Sequence, residues 1–224
     1  MLDPLKSCPK QHIMPQTDAT LDYCFAHSSA LGWVLRDLER ETHLRTLGPQ
    51  MLSGEYQGQL LRFLSLMLRP MRVLEIGTFT GYTAICMAEG LAEAGVLHTI
   101  EANDELGWLI RKYIQRAGME HQIVLHLGDA AKVMPTLDEV FDLVFLDAGK
   151  LDYPAHYELA LAKMRPGGFL LADNVLWDGK VASGNERDET ARALRAFNDF
   201  VQQDERVENL LLPLRDGFMI VRKR

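Results

Sequence analysis

From residue 71 onward the chain alternates short, nearly unbroken apolar runs with longer mixed stretches. The runs MRVLEIG (71–77), VLHTIE (96–101), IVLHLG (123–128), FDLVFLD (141–147) and GGFLLAD (167–173) read as strands, and the gaps between them are long enough for helices. Runs apolar at consecutive rather than alternate positions belong to strands covered on both faces. The pattern therefore predicts an alternating α/β domain with a mostly parallel sheet. Two further runs, at about 207–213 and 217–222, are separated only by residues 214–216. So tight a connection predicts an antiparallel hairpin, because a parallel crossover needs about a dozen residues.

Upstream the period changes. Residues 1–16 carry three prolines without periodicity and read as an irregular arm. Across 17–47, Leu21, Phe25, Leu31, Val34, Leu35 and Leu38 recur at helical spacing, with Thr17 and Asp18 as capping oxygens and Gly48-Pro49 as the stop. A second helix is expected at about 54–69, with Leu60, Leu61, Phe63, Leu64 and Met67 on its apolar side. Near the end, the acidic stretch 185–190 is expected to open a helix at about 188–203, acids being favourable at the positive end of a helix. Residues 178–187, with Gly179 and Gly184, read as a loop that shapes substrate choice.

At 224 residues and without a Pro/Gly/Ser-rich linker, the chain is expected to form a single domain, 1–224, in which 1–50 supply the arm and an N-terminal helix. Hydrophobic residues make up 47%, enough for a full core. The net charge is −7 and the basic residues are scattered apart from Arg222, Lys223 and Arg224, which argues against nucleic acid and for a small-molecule partner. The cysteines, Cys8, Cys24 and Cys86, form no CxxC pair, so neither a disulfide framework nor a zinc site is indicated. With a polar amino terminus and no run near the roughly 18 apolar residues of a membrane span, the expectation is a soluble, cytoplasmic protein with no membrane partner.

The ends of the strands carry the candidate chemistry. One apolar run ends in Asp147, and another ends in Asp173 followed by Asn174. Neighbouring parallel strands would bring these three oxygen-bearing side chains to one rim, where they can hold a divalent cation, with Lys150 close by. The first strand leads through Glu75, Gly77 and Gly81 into a helix, a turn suited to close approach of a ligand. It lacks GxGxxG spacing, and Glu75 would repel a pyrophosphate, so a cationic cofactor suits it better. Glu101 ends the second strand where an acid in such folds accepts hydrogen bonds from ribose hydroxyls, and Gly128-Asp129-Ala130 would line an adenine pocket. Each feature has a plainer reading. Asp147 alone could be a loop acid, Asp173-Asn174 a turn, Glu101 a solvated strand end and Lys150 a surface ion pair. Trp177, Tyr153 and His156 are candidates for substrate contact or for packing. It is their order along one chain that favours the functional reading.

Together, EIGTFTGYT, the acid at 101, GDA at 128–130, FLDAGKLDY, DNVLW and the ending LRDGFMIVRK resemble the class I, metal-dependent O-methyltransferases of the catechol and caffeoyl-CoA type, from about Met51 to the C-terminus. The resemblance implies a Rossmann-like methyltransferase fold, a seven-stranded mostly parallel sheet with an antiparallel last strand and helices on both faces. It implies S-adenosylmethionine as methyl donor, a divalent cation, and often a homodimer. Magnesium is the expected ion, and manganese or calcium also suit an all-oxygen site. Position by position, it places Met51 and Ser53 in the segment that folds over the cofactor, Glu75, Gly77 and Thr83 along its methionine portion, Glu101 at the ribose, and Asp129 with Ala130 at the adenine. Asp147, Asp173 and Asn174 match metal ligands, Asp147 bordering the cofactor as well, and Lys150 matches the proposed general base. One departure is Gly149, where many caffeoyl-CoA-type members carry a second acid in D-A-D-K; it counts against the plant thioester as acceptor.

The chemistry so implied is direct displacement. Two adjacent phenolic oxygens of a small catechol-like acceptor chelate the cation, which acidifies and aims the reacting hydroxyl, and Lys150 takes its proton. Three other classes stand beside this one. A nicotinamide-dependent oxidoreductase is disfavoured by the missing third glycine and by Glu75, and a non-catalytic protein of this fold by the complete ligand set. A methyltransferase acting on nucleic acid or protein is the third, and the acidic composition counts against the former.

Overall fold

All seven apolar runs form strands of one sheet in the computed structural model, which describes residues 18–183 and 187–224. They are β1 (Arg72–Ile76), β2 (Val96–Glu101), β3 (Ile123–Leu127), β4 (Phe141–Leu146), β5 (Met164–Asp173), β6 (Val207–Leu212) and β7 (Phe218–Lys223). Their order is β3-β2-β1-β4-β5-β7-β6. Pairs β1 with β2, β1 with β4, β2 with β3 and β4 with β5 are parallel, and β7 runs antiparallel to both β5 and β6. The expected hairpin is therefore present, with its second strand inserted against β5.

Nine helices are assigned among the described residues: α1 (Asp18–Ala26), α2 (Trp33–Arg45), α3 (Gly54–Leu68), α4 (Tyr82–Ala88), α5 (Gly107–Arg116), α6 (Ala130–Val133), α7 (Tyr153–Lys163), α8 (Lys180–Ser183) and α9 (Glu189–Gln203). The helical pattern over 17–47 resolves into two helices rather than one. Ser28 Oγ donates to the Cys24 carbonyl at 2.7 Å, and Gly32 is extended at φ −61°, ψ 160°. A glycine disfavours helix by about 1 kcal/mol, which the hydrophobic period alone does not register. The chain divides between Ala30 and Leu31, α1 belonging to the first part and the remainder forming the body Leu31–Arg224. Thr17 and the capping role expected of it lie outside the described residues, as do the irregular arm and Cys8. Among the described residues no helix is long and apolar enough to cross a membrane.

The sheet is buried on both faces because side chains alternate between them. Leu74, Ile76, Val144, Leu146, Leu170 and Ala172 enter one core with Tyr153, Tyr157, Leu194, Phe197 and Val201 of α7 and α9. Val73, Leu97, Leu143, Phe145 and Leu171 enter the other with Leu38, Leu61, Ile85, Leu109 and Tyr113 of α2 to α5. β5 begins at Met164 rather than at 167, so that Pro166 lies inside it. The strand tolerates this near its start, where the pairing with β4 shifts register between Phe141 and Leu143.

The helix expected at 188–203 is α9, whose N-cap Asp188 accepts a hydrogen bond from the Ala191 amide at 3.0 Å. Of the loop 178–187, residues 184–186, including Gly184, lie outside the described residues. Its described part carries α8, which is tied to α9 by Lys180 with Asp188 at 3.1 Å and by Arg195 Nη2 donating to the Val181 carbonyl at 3.0 Å.

One glycine decides how closely the central strands meet. Gly77 leaves β1 at φ +99°, and a Cβ there would stand 2.0 Å from the backbone oxygen of Asp147. Both the conformation and the space exclude a side chain. Gly118 has φ +69° with nothing within 4 Å of its Cβ position, and so isolates the conformational part. Chemical denaturation should show Gly77→Ala losing about 3 kcal/mol and Gly118→Ala about 1 kcal/mol. Equal losses would mean that the approach of Gly77 to Asp147 is unimportant.

Candidate active site

β1 and β4 are the strands from which the sheet is extended in opposite directions, and ligands in such sheets bind at the carboxyl ends beside that switch. β4 and β5 run in register through Leu146 and Ala172, so the next residues, Asp147 and Asp173, lie side by side at one rim. By alternation both follow Phe145 and Leu171 onto the sheet face covered by α2 to α5.

The two acids are compensated differently. Asp147 Oδ1 accepts a hydrogen bond from Lys150 Nζ at 2.7 Å. Lys150 also donates to the Tyr153 hydroxyl at 2.7 Å, and that hydroxyl donates to the Asp173 carbonyl at 2.8 Å and lies 3.2 Å from the Leu146 carbonyl. Asp173 is only 4% exposed, and its Oδ2 accepts from Gln57 Nε2 on α3 at 2.6 Å. Burial first, and then the neighbouring charge of Asp147, push the Asp173 carboxyl up to about 6, against the opposing pull of Gln57 and Lys150. Asn174 follows in the left-handed region at φ 56°, a conformation asparagine tolerates better than most residues. Among the described residues there is no cluster of three or more His, Cys, Asp or Glu placed to hold a metal ion; the rim set is two acids and an amide.

The cofactor side is built on β1 and β2. Glu75 is fully buried, with Oε1 accepting from Thr83 Oγ1 and Oε2 from Thr99 Oγ1, each at 2.5 Å. Thr99 is bonded in turn to Thr78. Burial raises the Glu75 carboxyl to about 8, the threonine hydroxyls opposing that rise and the charges of Asp147 and Glu101 adding to it. Glu101 braces the glycine turn, Oε2 accepting from the Phe79 amide at 2.7 Å and Oε1 from the Asn103 amide at 2.8 Å. Phe79 has φ 52°, so this carboxylate supports a conformation that its side chain disfavours. Each Glu101 oxygen retains a lone pair for a further donor. At the end of β3, Asp129 caps α6 through the Ala131 amide at 2.9 Å, and Ala130 is buried.

The sequence-predicted residues thus fall into two groups around one rim, Asp147, Lys150, Asp173 and Asn174 at and just after the ends of β4 and β5, and Glu75, Gly77 and Glu101 at the ends of β1 and β2 with Thr83 on α4. Ser53 joins the first group through its carbonyl, which accepts from Arg215 Nη1, while Met51 is 59% exposed in the turn before α3. For Tyr153 the packing alternative holds: it is fully buried, and its hydroxyl is used by Lys150 and the strand carbonyls. His156 is likewise buried at 6% exposure, and Trp177 packs partly buried against the core. Gln57, Thr99 and Arg215 were missed in the sequence, since a glutamine inside an apolar helix and a threonine inside a strand carry no motif of their own.

The raised Glu75 carboxyl has a consequence for stability. The folded state retains a proton that the unfolded chain loses near 4.5, so stability from this group falls as pH rises from about 4.5 to about 8. The slope is about 1.4 kcal/mol per pH unit. Denaturation of the ligand-free protein across that range should show a shallower decline for Glu75→Gln than for wild type, and superimposable profiles would contradict the buried-carboxylate account.

These strand ends and their spacing have counterparts in known proteins. A family model described as O-methyltransferase matches residues 25–224. Catechol O-methyltransferase domain-containing protein 1 of Mus musculus is 35% identical over 229 residues, covering 98% of this chain and 86% of that protein. Catechol O-methyltransferase of Niastella koreensis is 34% identical, over 74% of this chain and 77% of its own length. Among solved structures, the O-methyltransferase TomG from Streptomyces achromogenes, in complex with SAM, superposes with a TM-score of 0.84 at 29% identity, covering 91% of this chain and 96% of that one. Since the family match spans all seven strands and every rim residue described above, the chain belongs to the O-methyltransferase family.

Proposed function

We propose that this protein transfers the methyl group of S-adenosylmethionine to one hydroxyl of a small catechol-like acceptor, with Asp147, Asp173 and Asn174 holding a divalent cation and Lys150 receiving the proton. The observation that carries this reading is the in-step ending of β4 and β5, which sets two carboxylates and an amide at one rim with the Lys150 ammonium 2.7 Å from Asp147. The donor set fits a hard cation, being all oxygen. Its charge fits too: the two acids have one ammonium between them, that of Lys150 on Asp147. When bound, such an ion supplies Lewis-acid chemistry, acidifying the acceptor hydroxyl and fixing its direction.

The chain's own residues do the remainder. Lys150, held between Asp147 and Tyr153, would receive the hydroxyl proton at Nζ as the free amine, once its ammonium has given up one proton to solvent. Gly77 lets β1 close onto the Asp147 backbone and so fixes where that acid stands. The ionised rim acids make this end of the sheet attractive to a sulfonium, and Glu101 retains acceptor capacity for ribose hydroxyls. Asp129 and Ala130, at the turn from β3 into α6, would take the adenine side. Gly149 supports a small phenol over a thioester as acceptor, because the additional acid of D-A-D-K is missing.

Methyl transfer to caffeic acid, with the product identified by mass, should be abolished by chelator and restored by magnesium. Activity indifferent to chelator would remove the cation from the reading, and binding of NAD in place of S-adenosylmethionine would reject the methyltransferase assignment. Asp147→Ala should lower turnover by more than about 100-fold, the scale of several kcal/mol of transition-state stabilisation. Its affinity for S-adenosylhomocysteine by calorimetry should stay within a few-fold of wild type; a collapse of both would place Asp147 chiefly in cofactor binding.

A further inference from the structure

The ending LRDGF matches the family pattern yet has no part in the chemistry above. In the structure it is the β6 to β7 turn, and it touches the rim from a second side. Arg215, in the left-handed region at φ 48°, donates through Nη1 to the Ser53 carbonyl and to Gln57 Oε1. Gln57 is buried on α3, 2% exposed, and its other end donates through Nε2 to Asp173 Oδ2 at 2.6 Å. A guanidinium carries only donors, so only the oxygen of the Gln57 amide can face it. That choice obliges the amide nitrogen to face the carboxylate. Arg215 thereby decides which way round the Gln57 amide sits, and Gln57 decides where the Asp173 carboxylate sits.

The same turn grips the backbone immediately after Asn174. The Leu176 amide donates to the Asp216 carbonyl at 2.8 Å and the Val175 amide to the Gly217 carbonyl at 3.2 Å, while Asp216 Oδ1 accepts from the Asp178 amide. Gly217, at φ +91°, has no room for a side chain, since a Cβ would lie 2.5 Å from Leu176 Cγ. One turn therefore holds Asp173 through its side chain and the segment after Asn174 through its main chain.

We propose that Gln57 and Arg215 are positioning residues for the cation site: Arg215 orients the Gln57 amide, which holds Asp173 Oδ2 and, with the Asn174 backbone hydrogen bond to the same carboxyl, sets how that carboxylate faces the ion. This inference rests on the cation reading given above. Groups that hydrogen-bond metal ligands typically account for 10- to 100-fold in metal affinity, which sets the expected size of the effect.

Calorimetric titration of the full chain with manganese, in the presence of S-adenosylhomocysteine, tests the pair. Gln57→Met, similar in length and without polar ends, should weaken manganese binding by about 10- to 100-fold, with S-adenosylhomocysteine affinity unchanged. Arg215→Met, at an exposed turn position where folding is little at risk, should weaken it by a smaller factor. If Arg215 acts through Gln57, the double variant binds manganese as the Gln57→Met protein does, whereas two independent contributions would multiply. Manganese affinity unchanged in Gln57→Met overturns the proposal, and multiplicative losses overturn the role given to Arg215. Loss of S-adenosylhomocysteine affinity in step with manganese affinity would reduce both residues to general structural ties and overturn it as well. A wild-type protein that binds no manganese would fail the cation reading itself, a result distinct from all of these.

Discussion

The rim depends on β4 and β5 ending in step. Register through Leu146 and Ala172 places Asp147 and Asp173 side by side, and the Asp147 amide is held by the Ile76 carbonyl at 2.9 Å, so three strand tips share one frame. The register is secured by the apolar positions before it, because a slip of one residue would turn Val144 and Phe145 to the wrong cores. The same apolar packing that makes the sheet stable thus delivers two carboxylates into a partly buried place. Burying such groups without partners costs several kcal/mol.

Compensation comes from both sides of the rim and from remote parts of the chain. On one side Lys150 and Tyr153 join Asp147 to the carbonyls of Leu146 and Asp173. On the other, α3 supplies Gln57 to the Asp173 carboxylate. These contacts lower the penalty without cancelling it, as the elevated Asp173 carboxyl shows. With these oxygens already held, the cation proposed above would need little further ordering of the rim.

Glu75 and Glu101 divide a similar task between them on the cofactor side. Glu75 is sealed beneath the glycine turn by two threonine hydroxyls, while Glu101 supports the turn from the side through the Phe79 amide. The Glu101 carboxylate beside the turn, already holding the Phe79 and Asn103 amides, makes this end of the sheet unwelcoming to a pyrophosphate. The family membership and this electrostatic arrangement point the same way from independent grounds.

The apolar periodicity by itself determined the α/β class, all seven strands and the reversed hairpin, since both-face burial and short connections leave direct marks on local composition. It also located Asp147, Asp173, Asn174, Glu75 and Glu101, because an acid closing an apolar run is visible without any knowledge of what lies opposite. The break between α1 and α2 was hidden by an apolar spacing that continues across Gly32, and the early start of β5 by Pro166. Tyr153 stood out in its motif, yet only packing showed that its hydroxyl is turned inward to Lys150 and the strand carbonyls. Arg215 lay within the family-like ending LRDGF, but its contact with Gln57, and that of Gln57 with Asp173, belonged to the tertiary structure. Gln57 meets Asp173 across 116 positions and Arg215 across 158, and no local pattern encodes a hydrogen bond between residues that only the closed fold brings within reach.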